Sequence, residues 1–157
     1  MEPEFVERPA VVVAGVLRKY SDSDVEDAGF QDIWMRGFMP RYGEIEPLCE
    51  DKGFYGVWFG DIRVGAADYL AGAAVTEREA VPDDLAVREI PAARYAVFRC
   101  TVGTIGETYD AIFGAWMVEG GYDLDPELPH FEYYPPETAS QESPVFIYVP
   151  VAGGRAS

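Results

Sequence analysis

At roughly 100–200 residues per domain, a chain of 157 residues is one domain, and its 48% apolar and 14% aromatic content can bury a sizeable core. Twelve basic against 28 acidic residues leave a net charge of −16, which opposes displacing counterions from nucleic-acid phosphates and docking on an anionic membrane. The polarity suits small cationic or neutral partners, with most of the charge serving solubility.

The first element in chain order is the β-branched run Ala10 to Leu17, which reads as a buried strand. Phe30, Ile33, Trp34, Gly37 and Phe38 then recur at helical spacing, so a helix is expected from near Asp27 until Pro40 weakens or ends it. Phe54 to Phe59 and Asp68 to Val75 read as strands, with Gly60-Asp61 opening the connection between them. Ala93 to Arg99 is the next strand. Thr104 and Glu107 have capping-box spacing, and Ile105, Tyr109, Ile112, Phe113 and Trp116 follow at helical spacing until Gly120-Gly121. Phe131 to Tyr134 and Val145 to Val149 are the last strands, and residues 153–157 read as a flexible tail.

Each half is therefore strand–helix–strand–strand, with pseudo-repeats at about 5–77 and 88–151 of a single domain covering 1–152. Two such units, each with an open sheet edge, gain by joining into one antiparallel sheet under two helices. The expected class is α+β, with a central cleft where the halves meet, a favoured place for a small-molecule pocket.

Cys49, Cys100 and the lone His130 cannot assemble a zinc site, so no metal or other cofactor is expected, and His130 reads as an exposed or packing residue. The acidic N-terminus is no signal peptide, and Ala10 to Leu17 is too short to cross a bilayer, so a cytoplasmic protein is expected. The informative residue is Glu132, an acid inside a short aromatic strand. Alternation puts Glu132 and Tyr134 on one face and Phe131 and Tyr133 on the other. A carboxylate facing a sheet interior costs several kcal/mol unless paired. Parity alone leaves open a solvated face, a pairing with Arg94 or Arg99, or a functional pocket. Aromatic residues spread over nearly every element, and with a carboxylate they would form a box suited to flat or lipophilic cations. Trp58, matched by the repeat to Tyr134, is expected in the cleft, with Tyr69, Trp116 and Phe146 as further wall residues.

The blocks Ile90-Pro91-Ala92-Ala93-Arg94-Tyr95-Ala96-Val97-Phe98, Tyr109 to Trp116, Glu119 to Tyr122 and Phe131-Glu132-Tyr133-Tyr134 resemble the GyrI-like domain. That family is also known as the AraC-type or bacterial-activator effector-binding domain. Phe38 to Ile45, Tyr55-Gly56-Val57 and Asp68 to Gly72 are similar to blocks of its first half. The resemblance implies a duplicated fold whose cleft binds lipophilic, often cationic aromatic molecules, with the motif glutamate at Glu132. Some relatives carry a second acid in the last strand where this chain has Phe146, which implies one fewer pocket charge and a more apolar ligand. With no DNA-binding segment in the chain, the resemblance implies a stand-alone effector-binding or drug-sequestering protein without direct nucleic-acid contact. The alternatives it offers are a hydrolase of cyclopropane-bearing DNA-alkylating compounds, with Glu132 as the catalytic residue, and a protein that modulates DNA gyrase.

Overall fold

The apolar run Ala10 to Leu17 continues as a strand through Arg18, Lys19 and Tyr20 to Ser21. In the computed structural model, which describes residues 2–21, 33–49, 51–60, 66–125 and 127–153, β1 (Glu4–Arg8) leads into β2 (Val11–Ser21). Then come β3 (Phe54–Phe59), β4 (Ala66–Ala74), β5 (Ala86–Ile90) and β6 (Ala93–Thr101). The chain closes with β7 (Tyr122–Leu124), β8 (His130–Tyr134), β9 (Pro144–Val149) and β10 (Val151–Gly153). Among the described residues, eight strands form one curled antiparallel sheet in the order β1-β6-β9-β8-β3-β4-β2-β5, and β7 pairs with β10 beside it.

The expected duplication is present, centred on the β3–β8 pair. Its two outermost strands were not legible in the sequence. Each half's leading strand crosses to the other half: β1 pairs with β6 and β5 pairs with β2, in the same register, Glu4 facing Val97 as Ala86 faces Gly15. The exchange covers both edges of the six central strands, the liability that separate halves would expose.

Two helical segments pack on one face. The first passes through a π-helical turn (Ile33–Phe38), a 3-10 turn (Met39–Arg41), α1 (Tyr42–Ile45) and a 3-10 turn (Glu46–Leu48). The expected start near Asp27 lies outside the described residues. Pro40 does not end the segment, because it sits in the first turn of the 3-10 stretch, where no backbone N–H is required of it. The second segment runs through a 3-10 turn (Val102–Thr104), α2 (Ile105–Ala111), a π-helical turn (Ile112–Trp116) and α3 (Met117–Gly120), and stops at Gly121 with φ 71°. The expected Thr104–Glu107 capping box is replaced by one a turn earlier, in which the Thr101 N–H donates to Thr104 Oγ1 at 3.0 Å.

Strand alternation divides the core. Ile33, Phe38 and Ile45 pack on Trp58, Tyr69 and Ala71, while Ile112 and Met117 pack on Phe98, Ile147 and Val149. The opposite face gathers Tyr55, Val57, Leu70, Tyr95 and Phe131. There the Arg8 guanidinium lies over the Tyr148 ring, 4.9 Å from its centroid, and donates to Tyr55 Oη at 3.2 Å. A cation on such rings contributes on the order of 0.5–2 kcal/mol.

Gly15 and Gly72 face each other where β2 meets β4. A Cβ on Gly72 would stand 2.3 Å from the Ala14 carbonyl oxygen, so the strands approach only because both side chains are missing. Gly72→Ala should lower stability by about 1–3 kcal/mol, the usual cost of overpacking, seen as a fall in Tm. Gly43→Ala, with nothing within 4 Å of the added carbon, should leave Tm unchanged or raise it slightly.

Candidate functional site

A cavity of about 1000 Å³ opens over the β3–β8 junction, between the two helical segments. Both segments contribute to it: Trp34, Met35 and Met39 from the first, and Ile105, Tyr109, Asp110 and Phe113 from the second. Beneath them β3 presents Phe54 and Trp58, β4 presents Tyr69, and β8 presents His130, Glu132 and Tyr134. No lysine or arginine among the described residues lines this cavity.

Glu132 forms the floor and is only 3% exposed. Its partners include phenols from three elements. Tyr69 of β4 donates to Oε1 at 3.1 Å, Tyr134 of β8 donates to Oε1 at 3.2 Å, and Tyr109 of α2 donates to Oε2. Behind them the Trp34 indole N–H donates to Tyr69 Oη at 3.2 Å, tying the first helical segment to the same network. Arg94 lies over the Phe5 ring, and Arg99 shares the register position of Phe146 on the opposite face; neither pairs with Glu132.

Gly56, directly opposite Glu132 in the β3–β8 register, makes the arrangement possible. A Cβ there would lie 2.0 Å from Tyr69 Oη and 2.8 Å from Glu132 Oε1. The glycine supplies the volume that the carboxylate and phenol occupy.

Burial pushes the Glu132 carboxyl up to about 7, against the opposing pull of the hydrogen bonds from Tyr109, Tyr69, Tyr134 and Trp58. The donated hydrogen bonds stabilise the anion but do not replace bulk water. Burial, reinforced by the adjacent Glu132 charge, holds the Tyr69, Tyr109 and Tyr134 hydroxyls well above the usual tyrosine range, so all three stay protonated donors. The floor can thus switch between acid and anion near neutrality.

Of the residues expected in the cleft, Glu132, Trp58, Tyr69 and Tyr134 meet there. Trp58 packs on Tyr69 with ring centroids 4.6 Å apart. Two others lie elsewhere. Trp116 stacks on Tyr122 at 4.4 Å and meets Phe98 edge-on at 4.9 Å, packed half-buried against the core under the second segment. Phe146 is paired in register with Tyr133 and so faces away from Glu132. The expectation of a lost pocket charge at position 146 is corrected by the same fact, since a side chain there points to the opposite face. Sequence reading left out Tyr109, Trp34, Phe54 and His130. Parity with Glu132 was the available signal for His130, which is 1% exposed and stacked on Trp58 with ring centroids 6.2 Å apart.

The raised Glu132 pKa has a consequence for stability. Between the ordinary value of 4.5 and about 7, the folded chain holds a proton that the unfolded chain has lost. The Glu132 contribution to stability is therefore full below about 4.5, falls as pH rises, and is gone above about 7. At ~1.4 kcal/mol per pH unit, the span is about 3 kcal/mol. Chemical denaturation from pH 5 to 8 should show this slope in the wild type relative to Glu132→Gln; parallel profiles would contradict the burial account.

A family model, the GyrI-like small molecule binding domain, matches residues 1–152. Transcriptional regulator BrlR of Pseudomonas aeruginosa is 33% identical, over 96% of this chain and 56% of its own length. The chain thus spans about half of that relative. Among solved structures, SAV2435 bound to tetraphenylphosphonium matches with a TM-score of 0.75 at 16% identity, over 98% of this chain and 95% of its own. EcmrR in complex with DNA matches with a TM-score of 0.68 at 14% identity, over 96% of this chain and 57% of its own. Both structures share the fold, and the family match over residues 1–152 with the identity to BrlR gives the assignment: this chain belongs to the GyrI-like small-molecule-binding domain family.

Proposed function

We propose that this chain captures lipophilic aromatic cations in the cavity above Glu132, as an effector-binding or drug-sequestering protein of the cytoplasm. The observation that carries the reading is a buried carboxylate held by phenols, with no lysine or arginine among the described residues lining its cavity. A phenol network leaves the anion's charge uncompensated, so a cation is the complement that the site lacks. The surrounding rings favour a delocalised or aryl-substituted cation through stacking and cation–π attraction. SAV2435, which has the same fold, is bound to tetraphenylphosphonium, an ion of this class. The net charge of −16 opposes any direct hold on duplex DNA. Among the described residues no helix is long and apolar enough to cross a membrane.

Binding by such a cation should lower the Glu132 pKa and release a proton below about pH 7. Calorimetry with tetraphenylphosphonium in buffers of different ionisation enthalpy should detect that release, with affinity rising from pH 6 to 8 and then levelling. Glu132→Gln should weaken the cation by about 1–3 kcal/mol while leaving neutral triphenylphosphine oxide nearly unchanged. Equal loss for both compounds, or no loss for the cation, would overturn the reading.

Tryptophan fluorescence separates the cavity from the core. Trp34 and Trp58 line the cavity and Trp116 does not. Quenching by a bound cationic dye should persist in Trp116→Phe and fall in Trp34→Phe and Trp58→Phe.

A further inference from the structure

The cavity carries carboxylates at two depths. Glu132 is at the floor, and Asp110 stands on α2 at the solvent-exposed rim. Tyr109, the residue before Asp110, reaches from the helix to the floor and donates its hydroxyl to Glu132. The two acids therefore stand at different depths of one cavity, Glu132 buried and Asp110 exposed, and its lining also holds the apolar rings of Trp34, Trp58 and Phe113. Asp110 forms no ion pair with the described residues, whereas the exposed acids Glu44 and Asp84 are both held by Arg41. A monocation seated on Glu132 leaves Asp110 without a counterion.

From this arrangement we infer that the preferred ligands are elongated dications, with one cationic end against Glu132, the other against Asp110 and a lipophilic spacer along the rings. The inference rests on the reading of the floor as a cation site and adds a specificity-setting residue at the rim. A second cationic centre extends the ligand toward solvent, so its charge need not be desolvated, and its pairing with Asp110 is screened by salt. Its selectivity is geometric: a short spacer cannot reach the rim, and a long one carries the outer charge past it.

The test is calorimetry with alkane-spaced bis-pyridinium ions of increasing length against alkylpyridinium ions of matched length. The wild type should show an optimum spacer length for the dications, with affinity there falling as salt rises. Asp110→Asn should weaken the optimum dication by about two- to five-fold, erase the optimum and flatten the salt dependence, leaving the alkylpyridinium ions unchanged. Glu107→Gln removes the same charge from an exposed residue of α2 outside the cavity lining and should do none of this. A steady gain with spacer length, or equal effects of the two substitutions, would overturn the role of Asp110. Failure of the underlying cation reading looks different: alkylpyridinium ions would then bind no better to the wild type than to Glu132→Gln.

Discussion

A carboxylate held out of water by phenols, and not by a cation, sets the terms for the rest of this structure. Burying an anion is costly, and a lone one in an apolar interior would simply stay protonated. Here the hydroxyls of Tyr69, Tyr109 and Tyr134 converge on Glu132 from β4, α2 and β8. Three parts of the fold must therefore be in place before the floor exists, and Trp34 ties in a fourth through Tyr69. An arginine would have stabilised the anion more strongly, and it would also have neutralised it. Phenols stabilise without neutralising, which keeps the charge available to a ligand.

The duplication explains where that charge can stand. In the antiparallel β3–β8 pair, Gly56 faces Glu132, so the pseudo-two-fold axis relating the halves passes through this pair. The two positions are equivalents of each other and compete for one space. A glutamate at both would force two carboxylates together. With glycine on one strand, the equivalent space receives Glu132 Oε1 and Tyr69 Oη, and no Cβ fits beside them. The fold is symmetric and the site is not, and the asymmetry starts at a missing side chain. The crossed strands β1 and β5 then lock the two unlike halves together at both edges.

Alternation along Phe131-Glu132-Tyr133-Tyr134 was enough to put Glu132 and Tyr134 on one side, because a strand of mixed character shows its period. The all-apolar Val145 to Val149 shows none, so the facing of Phe146 depends on its register with Tyr133, which no local pattern reveals. Trp116 departs from its helical stripe for a different reason. At ordinary helical spacing Tyr109, Phe113 and Trp116 share a stripe, but the π-helical turn Ile112–Trp116 holds more residues per turn and rotates the later side chains about the helix axis. Tyr109 and Phe113 line the cavity while Trp116 turns into the core against Phe98 and Tyr122. The edge strands β1 and β5 carry little sequence signal because they are short, partly exposed and rich in charge, a composition that suits a protected edge and conceals the period.

The phenylalanine at position 146 suggests a cavity poorer in charge only while its side chain is imagined inside. It lies on the face of Tyr133 and Tyr148, where Arg8 already spans the rings, so an acid there would act on that cluster and not on a ligand. The charge that matters is fixed by depth. Near pH 7 the floor carboxyl is divided between acid and anion, so the empty cavity need not hold a full buried charge. On the proposed reading, a cation entering among the rings would restore the anion and expel the proton. A neutral ligand instead meets a protonated acid with a hydrogen to donate. One titrating group can therefore offer an anion to a cationic ligand and a hydrogen-bond donor to a neutral one.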